Sequence, residues 1–227
     1  VIESPCTGCS GHGRTATERT VTVRIPSGVE NGTRIQLRGE GETGEAGGPE
    51  LIIFEDFQCP ACKAFEDTNN TTLDKLVEEG TIVIEYKPIA ILDRFSNGNE
   101  YSTREANLAA CVVDSQPEKG ETLLETLFGQ QPEEGTNGRT DAELLKAATD
   151  AGVDTSKALT SDPEQTVASC VADQSFKKYI TNTTQESLDS GVEATPWVLI
   201  NGKKTEQTGD AQALALEILK ATGEVKN

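Results

Sequence analysis

Two cysteines separated by two residues, Cys59-Pro60-Ala61-Cys62, are the stretch whose residue types and spacing most directly offer chemistry. They follow the apolar run Leu51-Ile52-Ile53-Phe54 and precede a segment of helical pattern, so both lie where a strand passes into a helix. A cysteine at a helix N-terminus faces unpaired backbone N–H groups and the positive end of the helix dipole, which favour thiolate over thiol. Pro60 suits the first helical turn, where its missing N–H costs nothing. The spacing lets one sulfur attack a mixed disulfide formed on the other, closing a redox cycle within one helical turn. The same pair would also serve as half of a zinc site. No second cysteine pair or histidine lies at suitable spacing nearby, which favours redox chemistry.

The elements that must position this pair are readable around it. Leu51 to Phe54, continuous and apolar, predicts a strand buried on both faces, with helices on each side of its sheet. Residues 61–79 predict a helix whose apolar face carries Phe65, Leu73, Leu76 and Val77, broken by Asn69 and Asn70 and stopped by Gly80. Ile82 to Tyr86 is a second strand ended by Pro88, and the helix between makes the two parallel in a right-handed β-α-β unit. Residues 100–190 predict helices at 104–113, 121–128, 141–151 and, in pieces, 162–190, with Thr140 and Ser161 as caps. Trp197 to Ile200 is a third strand, Asn201-Gly202 a hairpin turn, Lys203 to Glu206 an antiparallel edge strand, and 211–222 an amphipathic helix. A β-α-β unit, a helical insertion and then β-β-α, with C-x-x-C after the first strand, is an α/β thioredoxin fold.

Composition divides the 227 residues unevenly. Residues 1–49 hold 5 of the arginines, no lysine, 10 of the 21 glycines and no aromatic residue, and carry a net charge of −1; the rest carries −17. So acidic a surface repels phosphate backbones and anionic lipids, and no nucleic-acid partner is expected. No apolar run approaches the roughly 18 to 20 residues of a transmembrane helix, and no signal peptide opens the sequence. The absence of Met, even at position 1, leads us to expect a processed chain or a fragment. Six cysteines are too few for a disulfide scaffold but suit a disulfide-handling protein outside the cytoplasm.

The motifs "FEDFQCPACKAFE", "ILDRFSNGNEYSTREANLAACVVD" and "ATPWVLINGK" resemble the DsbA-like thiol-disulfide oxidoreductases of actinobacterial cell envelopes, over residues 50–223. The resemblance implies a thioredoxin core (50–99 and 191–227) carrying a helical domain (100–190), and oxidation of dithiols in secreted proteins. It implies Cys59 as nucleophile and Cys62 as resolving thiol, with Pro60 and Ala61 between them, and no cofactor. Thr195-Pro196 matches the family's cis-proline loop, where the Thr195 backbone is free to pair with an extended substrate; an ordinary trans turn is the alternative. Cys111 and Cys170 fall in helices of the insertion and are expected to pair as a structural disulfide, two free thiols being the alternative. Implied partners are reduced or unfolded secreted polypeptides and a membrane redox partner for reoxidation, in the cell envelope.

Two departures stand out. Ile53 occupies the position, six before the nucleophile, where some relatives carry a buried acid that assists proton transfer; Glu55 or Asp56 would serve instead, unless both are solvated surface carboxylates. Strongly oxidising relatives often have Pro-His between the cysteines, so Pro60-Ala61 leads us to expect a less oxidising disulfide. A reductase or isomerase, or a chaperone-like peptide-binding module, remains the alternative.

Residues 1–49 resemble the DnaJ co-chaperone family. Cys6-Thr7-Gly8-Cys9-Ser10-Gly11-His12-Gly13 matches its last C-x-x-C-x-G-x-G repeat, and "VTVRIPSGVENGTRIQLRGEGE" the start of its first substrate-binding β domain, a short β-hairpin-like segment. Zinc in that family takes four cysteines, so Cys6 and Cys9 would close a site only with His12 and an outside ligand; free thiols or a local disulfide are expected instead. The segment stops before its domain is complete and lacks the part that contacts Hsp70. We therefore expect no co-chaperone activity and no Hsp70 partner, and an artificial fusion near Gly48-Pro49. The edge left by any missing first strand of the thioredoxin core is one that residues 20–37 would fill.

Overall fold

The computed structural model describes residues 49–222. Cys6, Cys9, His12 and the hairpin-like segment at 20–37 lie outside the described residues. The described elements are β1 (Glu50–Glu55), α1 (Pro60–Glu78), β2 (Val83–Pro88), a 3-10 turn (Asp93–Phe95), α2 (Tyr101–Ser115), a second such turn (Pro117–Lys119), α3 (Gly120–Gly129), α4 (Asp141–Asp150), α5 (Val167–Asp173), α6 (Lys177–Asp189), β3 (Trp197–Ile200), β4 (Lys203–Lys204) and α7 (Ala211–Thr222).

The sheet order is β2-β1-β3-β4, with β1 parallel to β2 and antiparallel to β3, and β3 antiparallel to β4. This is the thioredoxin arrangement, with α2 to α6 inserted between β2 and β3. β1 is central, and its side chains alternate between two apolar layers. Leu51 and Ile53 pack with Phe65, Leu73 and Leu76 of α1 and with Leu214 and Ile218 of α7. Ile52 and Phe54 meet Ile89 and Val192 on the other face. The insertion has its own core, built on Tyr101, Leu108, Leu123, Leu127, Phe128, Leu144 and Val171, and this core includes Phe57, Cys59 and Cys62. The two cysteines therefore belong to the seam between the thioredoxin core and the helices.

Several local expectations are corrected. The core-facing row of α1 is Cys62, Phe65, Glu66, Asn69, Leu73 and Leu76, while Val77 points outward. Asn69 does not break the buried face but lies on it, because its Nδ2 donates to Phe65 O at 2.8 Å and Thr208 O at 2.9 Å. β2 runs through Pro88, and β4 stops at Lys204 because Thr205 turns inward and donates to Glu217 Oε2 at 2.6 Å. Ser161 caps no helix: its N–H and hydroxyl both bind Asp114 Oδ2 at 3.0 Å, and Thr166 opens α5 instead, with a capping box to Ser169. Thr140 does cap α4, in a capping box with Glu143. Asn201 and Gly202 turn the β3–β4 hairpin with φ of 50° and 76°, the pair of positive values a type I′ turn requires.

Candidate active site

β1 ends at Glu55, and the chain then makes a short loop, Asp56 to Gln58, before Cys59 caps α1 with Pro60 in the first turn. Asp56 builds that loop. Its Oδ1 accepts from the Gln58 N–H at 2.9 Å, its Oδ2 from the Leu92 N–H at 2.8 Å, and its carbonyl from the Cys59 N–H at 2.9 Å. Burial pushes the Asp56 carboxyl up to about 7 against the pull of these donors and of Ser102. The alternative of solvated surface carboxylates is overturned for both Asp56 and Glu55, which are buried beneath the loop. Asp56 spends both oxygens on loop amides, whereas neither Glu55 oxygen has a hydrogen-bond partner apart from a neighbouring carboxyl.

That neighbour is Glu66, which the sequence reading missed. It lies four residues after Cys62 and seven after Cys59, so the helix period puts all three on one face. Glu55 and Glu66 are both buried and burial raises both carboxyls; Glu66 raises Glu55 further, while the bond with Glu55 pulls Glu66 back down. Two buried carboxyls with no other donor cannot both be ionised, so the pair holds at least one proton. Charge on Glu55 is felt at both sulfurs.

The two thiols are reduced and differ sharply. Cys59 is lowered to about 6, first by the hydrogen bond from Cys62, then by the Thr195 side chain and the N–H groups of Cys62 and Ala61, all working against burial. Cys62, fully buried, is pushed far up by burial, by its bond to Cys59 and by Glu55. Pro60 and Ala61 are exposed and bring no charge to either sulfur.

β3 supplies the opposite wall. Trp197 pairs with Phe54 at the end of β1, so the residues just before β3 arrive beside the cysteine loop. Thr195-Pro196 is a cis peptide, and the Cys59 thiol donates to the Thr195 carbonyl at 3.3 Å. From the helical side, the rings of Phe57 and Phe128 lie 5.2 Å apart, and Gln131 donates to the carbonyls of Phe57 and Cys59. Gln131 was also missed, and no sequence signal singles out a loop glutamine 72 residues away. Cys111 of α2 and Cys170 of α5 are joined by a disulfide in the insertion core. Among the described residues, no group of three His, Cys, Asp or Glu side chains is arranged to hold a metal ion.

The arrangement can stabilise one thiolate, keep its partner protonated, and supply a buried proton to that partner. The thioredoxin family model matches residues 43–218. The reduced disulfide bond oxidoreductase DsbG of Mycobacterium tuberculosis is 31% identical, with a TM-score of 0.66 over 78% of this chain and 80% of that one. Oxidised DsbA from the same organism is 31% identical, with a TM-score of 0.65 over 78% and 84%. The DnaJ C-terminal domain model matches residues 7–70, overlapping the thioredoxin match from 43 to 70, and the DnaJ chaperone of Beijerinckia indica is 57% identical over 56 residues. That match covers 24% of this chain and spans only 15% of the chaperone's length.

Proposed function

This chain belongs to the thioredoxin family, among its DsbA-like thiol-disulfide oxidoreductases, and on that premise we propose that it introduces disulfides into secreted or envelope polypeptides through Cys59 and Cys62. In the oxidised enzyme a substrate thiolate attacks Cys59 Sγ. A substrate–Cys59 bond forms, the Cys59–Cys62 bond breaks, and the electron pair passes to Cys62, which takes a proton from the Glu55–Glu66 pair. A second substrate thiolate attacks the substrate sulfur of the mixed disulfide and expels Cys59 as thiolate. The substrate leaves oxidised, two electrons stay on the enzyme, and a membrane redox partner removes them.

The observation that carries this reading is the asymmetry of the thiols, one lowered to about 6 at a helix N-cap and the other buried and pushed up. A thiolate that is stable when reduced is a good leaving group and makes the disulfide more oxidising. At pH 7 a midpoint of about 6 favours the reduced form by about 1.4 kcal/mol, or about 30 mV. The Thr195 carbonyl and Pro196 form the edge against which an extended substrate segment would lie.

The Cys111–Cys170 disulfide supports an extracytoplasmic location, where such bonds persist. We assign 50–99 and 191–227 to the thioredoxin core, 100–190 to a helical domain, and 1–49 to a DnaJ-like segment. A reductase or isomerase is the second reading, favoured by the absence of any cation on Pro60-Ala61.

The test is trapping. Cys62→Ser should accumulate a mixed disulfide at Cys59 with a disulfide-bonded polypeptide, the Cys59 thiolate displacing one of its sulfurs, and Cys59→Ser should form none and lose oxidative refolding of reduced ribonuclease. Refolding unaffected by Cys59→Ser would reject the enzyme reading and leave a peptide-binding module.

A further inference from the structure

The cysteine loop is held from the helical side as well as from the sheet. Gln131, two residues past the end of α3, donates from Nε2 to Phe57 O at 2.8 Å and Cys59 O at 3.0 Å. A side-chain amide nitrogen has two N–H bonds, and both are spent here. Gln131 is itself fixed. Its backbone N–H donates to Phe128 O at 3.1 Å, and the carbonyls of Leu127 and Gln130 accept from the buried guanidinium of Arg139. Arg139 is anchored on α2, through the Tyr101 hydroxyl at 2.9 Å and Glu105 Oε1 at 2.5 Å. Gly138, just before it, has φ of +65° and no room for a Cβ, which would meet the Tyr101 ring at 2.1 Å. A continuous set of contacts thus runs from α2 through Arg139 and the end of α3 to the backbone of Cys59.

The position of that backbone decides the sulfur's surroundings. The Cys59 carbonyl accepts from the Cys62 and Lys63 N–H groups at 3.1 and 3.2 Å, so its orientation sets the first turn of α1. The amides of Ala61 and Cys62 in that turn are the ones directed at Cys59 Sγ. Asp56 holds the Cys59 N–H and Gln131 holds its C=O. With both peptide groups pinned, rotation about the Cα–Cβ bond is the main freedom left to the sulfur.

We propose that Gln131 is a positioning residue for disulfide exchange, a contribution of the helical insertion that orients the Cys59 peptide unit so that its sulfur stays against the Ala61 and Cys62 amides. It rests on the reading of Cys59 as the reactive thiol. The titratable groups facing Cys59 are Cys62 from α1 and Glu55 from β1, while Thr195 and Gln131 are neutral. A neutral substitution at 131 therefore changes geometry and leaves local charge alone.

Gln131→Met keeps the length and apolar stem and removes both donors. The readout is the thiolate absorbance of Cys59 against pH in the reduced full-length chain, with melting followed in parallel. The midpoint is expected to rise by about one pH unit, the size of one lost charge-assisted hydrogen bond. Gln131→Asn, an amide one methylene short, gives the same reading as Met should the latter fail to fold. A melting temperature that falls while the midpoint stays put overturns the inference, because a purely structural clamp predicts that pattern. A midpoint in the unsubstituted protein at the ordinary 9.0 overturns the reading of Cys59 and this inference with it.

Discussion

The sulfur of Cys59 and the backbone carbonyl of Thr195 meet at 3.3 Å although 136 residues separate them in the chain. The antiparallel register of β1 and β3, Phe54 opposite Trp197, makes the meeting unavoidable once the sheet forms. The Thr195 side chain adds a donor that lowers the Cys59 thiol. Thr195→Ala keeps the carbonyl and removes that donor, so the Cys59 midpoint should rise by about half a pH unit, and Thr195→Ser should restore it. Thiolate absorbance against pH checks both.

The depressed Cys59 thiol makes the stability of the reduced protein depend on pH. Its folded midpoint of about 6 lies below the ordinary 9.0, so the reduced chain gains stability that is fully present above pH 9 and lost as pH falls through 6. The gain is about 4 kcal/mol at the top of that window and about 1.4 kcal/mol at pH 7. Urea denaturation of the reduced protein at pH 5, 7 and 9, each time against reduced Cys59→Ser, should show the difference growing with pH. A constant difference would contradict a perturbed thiol.

Glu55 and Glu66 act in the opposite sense. Burial raises both carboxyls, so they lose stability as pH rises from the ordinary carboxylate range near 4.5 through their raised folded values. Glu55→Gln should flatten that loss, giving a protein more stable than the parent at alkaline pH. It should also slow single-turnover oxidation of a dithiol by at least about tenfold, since positioned proton transfer contributes roughly 10²–10⁴. Stopped-flow kinetics and denaturation together separate the two effects.

The Cys111–Cys170 bond closes a loop of sequence separation 59, which by chain entropy stabilises the fold by about 4 kcal/mol. Cys111→Ala with Cys170→Ala should lower the denaturation midpoint accordingly. Exchange at Cys59 should survive at temperatures where the double variant stays folded, because the hydrogen bonds that hold Cys59 run to Asp56, Gln131 and Thr195 and not to this bond.

Much of the fold was legible in local pattern. The apolar run of β1, the Asn201-Gly202 turn and the Thr140 capping box are each set by residues a few positions apart, and each stands where the pattern put it. Glu66 was within reach of the same logic, being four residues from Cys62 on a helix, but an acidic residue reads by default as solvent-facing. Asn69 misled for a related reason: a buried amide is recognisable only through its partner, here the Thr208 carbonyl 139 residues away. Ser161 carries a capping residue's chemistry, yet Asp114 claims it from another helix. Gln131 and the Glu105–Arg139 pair are purely tertiary, so periodicity contains nothing of them. Legibility ended where a side chain's partner lay outside its own element.

The reduction potential of the Cys59–Cys62 couple, measured by equilibration with glutathione at pH 7, tests the central claim most directly. An oxidase at Cys59 should show a value less negative than about −250 mV, short of the roughly −120 mV of the strongest oxidants because Pro60-Ala61 brings no cation. A value below about −250 mV, near the thioredoxin end of the scale, would contradict it and make the protein a reductase.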